Sequence, residues 1–154
     1  MKSNTKNTAL YIVMAVFFVL DRLLKFIAIN SASAKSIPII GKLLSFKFIP
    51  NYFIALSIPV SGIWLNYLIS ILLLCILIYI IKLTKIKKTD LELFLWISIF
   101  LGAVSNLYDR IKYGFVIDYL DIRYFSVLNI ADLIISLSIV YLIFYLIKNS
   151  KKTL

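Results

Sequence analysis

The chain has 154 residues, 62% of them hydrophobic, with no histidine, one cysteine and a formal charge of +10. An apolar share so far above the ~45–50% of soluble domains makes lipid the expected solvent, and the length allows one domain. The missing histidines exclude a Ser-His-Asp or Cys-His arrangement and most zinc sites, and the lone Cys75, inside an apolar run, excludes an internal disulfide.

Four segments approach the ~20 residues that a bilayer core requires. In lipid each must be a helix, because every backbone polar group needs an internal partner. The predicted spans are about 9–29, 63–81, 91–108 and 128–147. Asp21, Arg22 and Lys25 interrupt the first, the second is uncharged, Glu92 opens the third, and Asp132 lies near the start of the fourth. Between the first two spans, about residues 35–62, apolar and basic residues mix over strand-like lengths, punctuated by Pro38, Gly41, Pro50 and Pro59. The expected fold is all-α and integral to the membrane. It is one polytopic domain, 1–154, of four transmembrane helices with a small extracytoplasmic β-containing element resting on the outer surface.

Lysine and arginine set the expected orientation. Lys2, Lys6, Lys82, Lys85, Lys87, Lys88, Lys148, Lys151 and Lys152 fall on one side; Lys35, Lys42, Lys47, Arg110, Lys112 and Arg123 fall on the other. The richer side is cytoplasmic and holds both termini, so residues 35–62 and 109–128 lie outside. Lys2, Lys6, an apolar run and Ala32-Ser33-Ala34 imitate a cleavable signal peptide. A signal peptide carries its charges before the apolar run, however, and here Asp21, Arg22 and Lys25 follow it, so the segment reads as a retained span. The positive excess reads as cytoplasmic loops and contact with anionic lipid, not nucleic acid.

Seven residues are acidic, and Asp109, Asp118, Asp121 and Asp132 are four of them. A carboxylate in or beside a membrane segment is costly and points to function. The topology puts Asp21, Asn106, Asp109, Asp118, Asn129 and Asp132 at one depth, the outer interface. Asn129 and Asp132 are three apart and share a helix face. Asp118 and Asp132 can meet across one loop, and two carboxylates sharing a proton can work as an acid–base pair on one water. The blander alternatives are helix caps for that pair, a local Asp21–Lys25 ion pair, and interhelical hydrogen bonding for Asn106 and Asn129. Asp109 with Arg110 is expected to form a paired charge that fixes the outer loop. Gly102 is expected to allow a close helix approach.

These residues stand in a recognisable order. Asp21-Arg-Leu-Leu-Lys25, Asn51-Tyr-Phe-Ile-Ala55, Asn106-Leu-Tyr-Asp109-Arg110 followed by Gly114, Val116 and Asp118, and Asn129-Ile-Ala131-Asp132 together resemble the four motifs of the bacterial lipoprotein signal peptidase (signal peptidase II) family. The resemblance implies that Asp118 and Asp132 are catalytic. It implies that Asp21, Lys25, Asn51, Ala55, Asn106, Asp109, Arg110, Gly114, Asn129 and Ala131 bind substrate or support the site. The implied activity is an aspartic endopeptidase that removes the signal peptide of diacylglyceryl prolipoproteins before the lipidated cysteine. Prolipoproteins and membrane lipids would be its partners, without metal, organic cofactor or nucleic acid. The implied place is the bacterial cytoplasmic membrane, with the active site facing outward and a monomer expected. Phe53 and Ile54 stand where the family has glycine and a small residue, so the substrate path is expected to be narrowed or reshaped. Two other readings use the same residues: a non-enzymatic lipoprotein- or lipid-binding protein, and a small ion or proton carrier. A carrier would spread its acids over several depths, and here they cluster.

Overall fold

The computed structural model describes residues 2–31, 36–53, 61–86 and 90–150. In order these form α1 (Lys2–Asn30), β1 (Ile37–Ile40), β2 (Leu44–Asn51), α2 (Ile63–Lys85), α3 (Asp90–Tyr113), β3 (Val116–Ile122), β4 (Ser126–Leu128) and α4 (Ile130–Ser150). Ile54, Ala55 and Pro59 lie outside the described residues. Among the described residues, α2, α3 and α4 are long and apolar enough to cross a membrane. The 29-residue α1 carries Asp21, Arg22 and Lys25 in its second half, and leaves Ile12, Val16, Val19 and Leu23 exposed.

Two features differ from the sequence expectation. First, α3 runs on past Tyr108, so Asp109 and Arg110 belong to a helix and not to an outer loop. Nothing breaks it until Gly114, whose φ of 82° is a left-handed stop that a side chain disfavours; its N–H donates to Arg110 O at 3.0 Å. Second, the expected outer loop 109–128 contains strands. Val-Ile-Asp-Tyr-Leu-Asp-Ile is rich in β-branched and aromatic residues, and β3 pairs antiparallel with both β2 and β4. The result is one four-stranded sheet of order β1-β2-β3-β4, assembled from the segment between α1 and α2 and the segment between α3 and α4.

Packing fixes the sheet on the helices. Ala28 of α1 is buried against Ile117 and Tyr119 of β3, with Phe46 and Phe48 of β2 around them. A second cluster of Leu95, Ile99 and Leu142 joins α3 to α4. Higher on the same interface Gly102 allows a close approach, as its sequence context predicts. A Cβ there would lie 2.7 Å from Ile135 Cγ1 and 3.1 Å from Ala131 O. That approach brings Asn106, one turn further along α3, up to the start of α4.

Candidate active site

The start of α4 shapes the site. Asn129 precedes the helix and caps it: its Oδ1 accepts the Asp132 N–H at 2.9 Å, while Asp132 Oδ2 accepts the Asn129 N–H at 3.3 Å. This reciprocal capping box explains the three-residue spacing better than a shared helix face does. It leaves the Asn129 amide NH2 free to turn toward the sheet, where it donates to Asp118 Oδ1 at 2.7 Å. One asparagine therefore holds both carboxylates.

All four carboxylate oxygens accept an N–H. Asn51, at the end of β2, donates to Asp118 Oδ2 at 2.9 Å, and Asn106 of α3 donates to Asp132 Oδ1 at 2.8 Å. Lys25 fixes the sense of the second bond. Its ammonium can only donate, and it donates to Asn106 Oδ1 at 2.7 Å, so the Asn106 NH2 must face Asp132.

Behind this layer lies a buried charge network. Lys25, fully buried, sits 2.8 Å from Asp109 Oδ2 and 3.2 Å from Asp21 Oδ2. Arg22 Nη1 reaches Asp109 Oδ1 at 2.7 Å. Ser105 Oγ donates to Asp21 Oδ2 at 2.6 Å, and the Tyr119 hydroxyl donates to Asp21 Oδ1 at 3.1 Å. The same hydroxyl accepts the Ile130 N–H at 3.1 Å. The local Asp21–Lys25 pair is thus one link of the network and not an alternative to it.

The expected Asp109–Arg110 pair does not form. Successive helical side chains point ~100° apart, so Asp109 faces α1 while Arg110 faces the other way. Arg110 Nη2 donates to Phe53 O at 2.8 Å, and its buried Nε has no partner among the described residues. The Phe53 N–H donates to Asn51 Oδ1 at 2.9 Å. Phe53 therefore joins the site through its backbone.

Asp132, Asn106, Asn51 and Arg110 line a cavity of about 220 Å³, with Ile69 and Ile135 on its apolar side. A larger apolar groove of about 330 Å³ runs between α1, α3 and α4. It touches Asp21 and Ser105 but neither Asp118 nor Asp132, whereas the smaller cavity reaches Asp132. Burial pushes the Asp118 carboxyl up to about 7, helped by the nearby Asp132 charge and opposed by the amides of Asn51 and Asn129 and by Lys25. Burial also raises the Tyr119 phenol, with the Asp21 charge acting in the same sense, so Tyr119 stays neutral. Among the described residues no three Asp, Glu or Cys side chains group as metal ligands.

The family model described as signal peptidase (SPase) II matches residues 13–148. The chain belongs to the signal peptidase II family. Its relatives include the lipoprotein signal peptidase of Halothermothrix orenii, 32% identical over 92% of this chain and 97% of that one. That of Clostridium tetani is 35% identical over 89% and 91%. A solved bacterial membrane enzyme shares the fold, with a TM-score of 0.80 and 22% identity over 94% of this chain and 91% of that one.

In this member of the family, Asp21, Lys25, Asn51, Asn106, Asp109, Asp118, Asn129 and Asp132 converge on one polar network, and Ala131 joins it through its backbone. Gly114 serves α3 as its stop signal and reaches the site only through the path of the chain. Sequence reasoning missed Arg22, Ser105 and Tyr119. Arg22 and Ser105 each neighbour a residue that was singled out, or follow it at helical spacing. Tyr119 follows Asp118 directly, but a tyrosine in an apolar run gives no sign of the partner its hydroxyl will find.

Proposed function

We propose that this chain is an integral-membrane aspartic endopeptidase that cleaves diacylglyceryl prolipoproteins before the lipidated cysteine. Its family membership and the names of its relatives support the substrate class. The single observation that carries the aspartic chemistry is Asn129, which bonds the Asp118 and Asp132 carboxylates at once. Burial raises the Asp118 carboxyl toward neutrality, and the mechanism assigns it the proton that the pair shares.

The steps balance with one water. Asp132 takes a proton from the water, whose oxygen attacks the scissile carbonyl carbon, while Asp118 gives its proton to the carbonyl oxygen. Asp132 then passes its proton to the leaving nitrogen. Asp118 recovers its own from the tetrahedral hydroxyl as the C–N bond breaks. Asn51 and Asn106 steady the two acids throughout, and the Arg110 Nε offers a donor for a substrate carbonyl in the cavity.

α1 is the fourth span, with its exposed apolar side in lipid and its charges buried against α3. Both termini are cytoplasmic, and the sheet and the acids face outward, in keeping with the lysine distribution. The protein works as a monomeric single domain. Cleavage of a diacylglyceryl prolipoprotein peptide by the purified protein tests the activity. Impermeant thiol labelling of Lys47→Cys from outside, and not of Lys85→Cys, tests the topology in a Cys75→Ser background. No cleavage, or the reverse labelling, overturns the respective claim.

A further inference from the structure

Two hairpin tips meet at the end of the sheet far from the acids. Residues 41–43 join β1 to β2, residues 123–125 join β3 to β4, and the Arg123 N–H donates to Leu43 O at 2.9 Å. The register pairs Leu44 with Ile122 at this end and Asn51 with Val116 at the other. Ile122 lies four steps along the strand from Asp118, roughly 13 Å at the usual rise.

This paired tip is apolar, cationic and uncovered. Leu43, Tyr124 and Phe125 are 62%, 87% and 70% exposed, and Lys42 and Arg123 are exposed beside them. The edge strand β1 continues the surface with Ile37, Ile39 and Ile40, all exposed. An uncharged apolar edge is an aggregation template in water, and natural sheets normally protect such edges with charge or cover. Tyr124 adds a second, independent sign. Its φ of 67° is left-handed, where glycine or asparagine sits without strain. The chain carries a tyrosine at this strained position, and among the described residues its ring has the Arg123 guanidinium 4.9 Å from its centre.

We propose that the paired tips are a lipid anchor: Leu43, Tyr124 and Phe125 enter the headgroup layer of the outer leaflet, and Lys42 and Arg123 bind the phosphates of anionic lipids. This rests on the outward-facing topology proposed above. An amphipathic tyrosine beside lysine and arginine is the composition of membrane interfaces. Headgroup depth also suits the β1 edge, because water there still reaches the N–H and C=O groups that no other described strand pairs. Charge decides against a second copy of the chain on this edge, which would set Lys42 and Arg123 against their own counterparts. An anionic surface complements them. The anchor would hold the far end of the sheet at a fixed height, and with it Asn51 and Asp118 beside a scissile bond that lies next to a lipidated residue.

The test places a fluorophore on Phe125→Cys in a Cys75→Ser background, with the full chain in vesicles of phosphatidylcholine alone or mixed with phosphatidylglycerol. Headgroup spin-labelled lipid should quench it several-fold more than aqueous iodide does. Quenching should rise with phosphatidylglycerol, and that rise should vanish in Lys42→Ser/Arg123→Ser. Strong iodide quenching without lipid quenching would overturn the anchor. Equal lipid quenching in both vesicles would overturn the phosphate contacts. Failure to label Lys47→Cys from outside would instead overturn the topology, and the anchor with it.

Discussion

Asp21 Oδ1 accepts the backbone N–H of Ala131, 110 positions later, at 3.2 Å, so a side chain of α1 caps the start of α4. The first N–H groups of any helix lack partners within it. At α4 the Ala131 N–H finds Asp21, and the Ile130 N–H finds the Tyr119 hydroxyl, which itself donates to Asp21. The negative charge also suits the positive end of the helix dipole.

Asp21→Ala should therefore cost stability before chemistry. It takes the acceptor from Ser105, Tyr119 and the Ala131 N–H and leaves Lys25 with Asp109 as its one carboxylate in a buried region, a loss of about 3–5 kcal/mol for a broken buried pair. Asp21→Asn keeps an acceptor for Ala131 and should lose less. Thermal unfolding in detergent checks the order; an unchanged Tm in Asp21→Ala would remove the cap from the account.

Asp118→Asn and Asp132→Asn should each lower cleavage by at least about 10³-fold while the protein still inserts and binds prolipoprotein. The double variant should be little worse than either single, because groups that act as a unit are strongly non-additive. Asp121→Asn is the control. Asp121 pairs with Ser45 and Val127 in the sheet and makes no contact with the amides that hold the acids, so most activity should remain. Turnover by a dyad variant would end the aspartic mechanism.

The raised Asp118 pKa gives two dependences on pH. Activity needs the protonated form, so kcat/KM should fall as pH rises through about 7. The Asn51 amide favours the ionised form, so Asn51→Ala should move that fall to higher pH. For stability, the native group binds its proton more tightly than the unfolded one, whose value is near 3.8. Its contribution is thus complete below about 3.8 and is lost as pH rises toward about 7. Asp118→Asn should flatten the unfolding free energy across that window; an unchanged slope would contradict the shift.

Gly102→Ala should destabilise by about 1–3 kcal/mol, since its methyl group meets Ile135 Cγ1 and the Ala131 carbonyl. The separation of α3 from α4 should also weaken the Asn106–Asp132 bond and lower kcat more than it raises KM. Ile135→Ala in the same chain should restore part of both. Additive losses in the double variant would mean that the contact is relieved elsewhere.

Phe53→Gly should change preference among lipobox peptides more than it changes folding. The links to Arg110 and Asn51 run through the Phe53 backbone and survive the substitution. Identical cleavage profiles would place the ring away from the path.

The helices were legible because apolar length is a direct demand of lipid, and the acids because charge in such a chain is costly. The strands were legible only in part. Residues 116–122 alternate weakly, since β3 is buried over most of its length and its pattern resembles any apolar run. Pairing β2 with β3 joins residues separated by two helices, which local pattern cannot reveal. The error over Asp109 and Arg110 has a similar origin. Adjacent opposite charges look like a pair on paper, but helical geometry sends them to different neighbours.

Asn129 stands at the joint between sheet and bundle. Its bonds to Asp132 are local to α4, whereas its bond to Asp118 crosses to β3. A tilt of the sheet would stretch that crossing bond together with those of the Tyr119 hydroxyl to Ile130 and Asp21, whereas Asn51 would travel with Asp118 because both ride on the sheet. The two acids can then separate without either losing its own helix or strand. Under the proposed mechanism competence thus depends on the attitude of a platform, and whatever steadies that platform also sets how often the acids are in position to work.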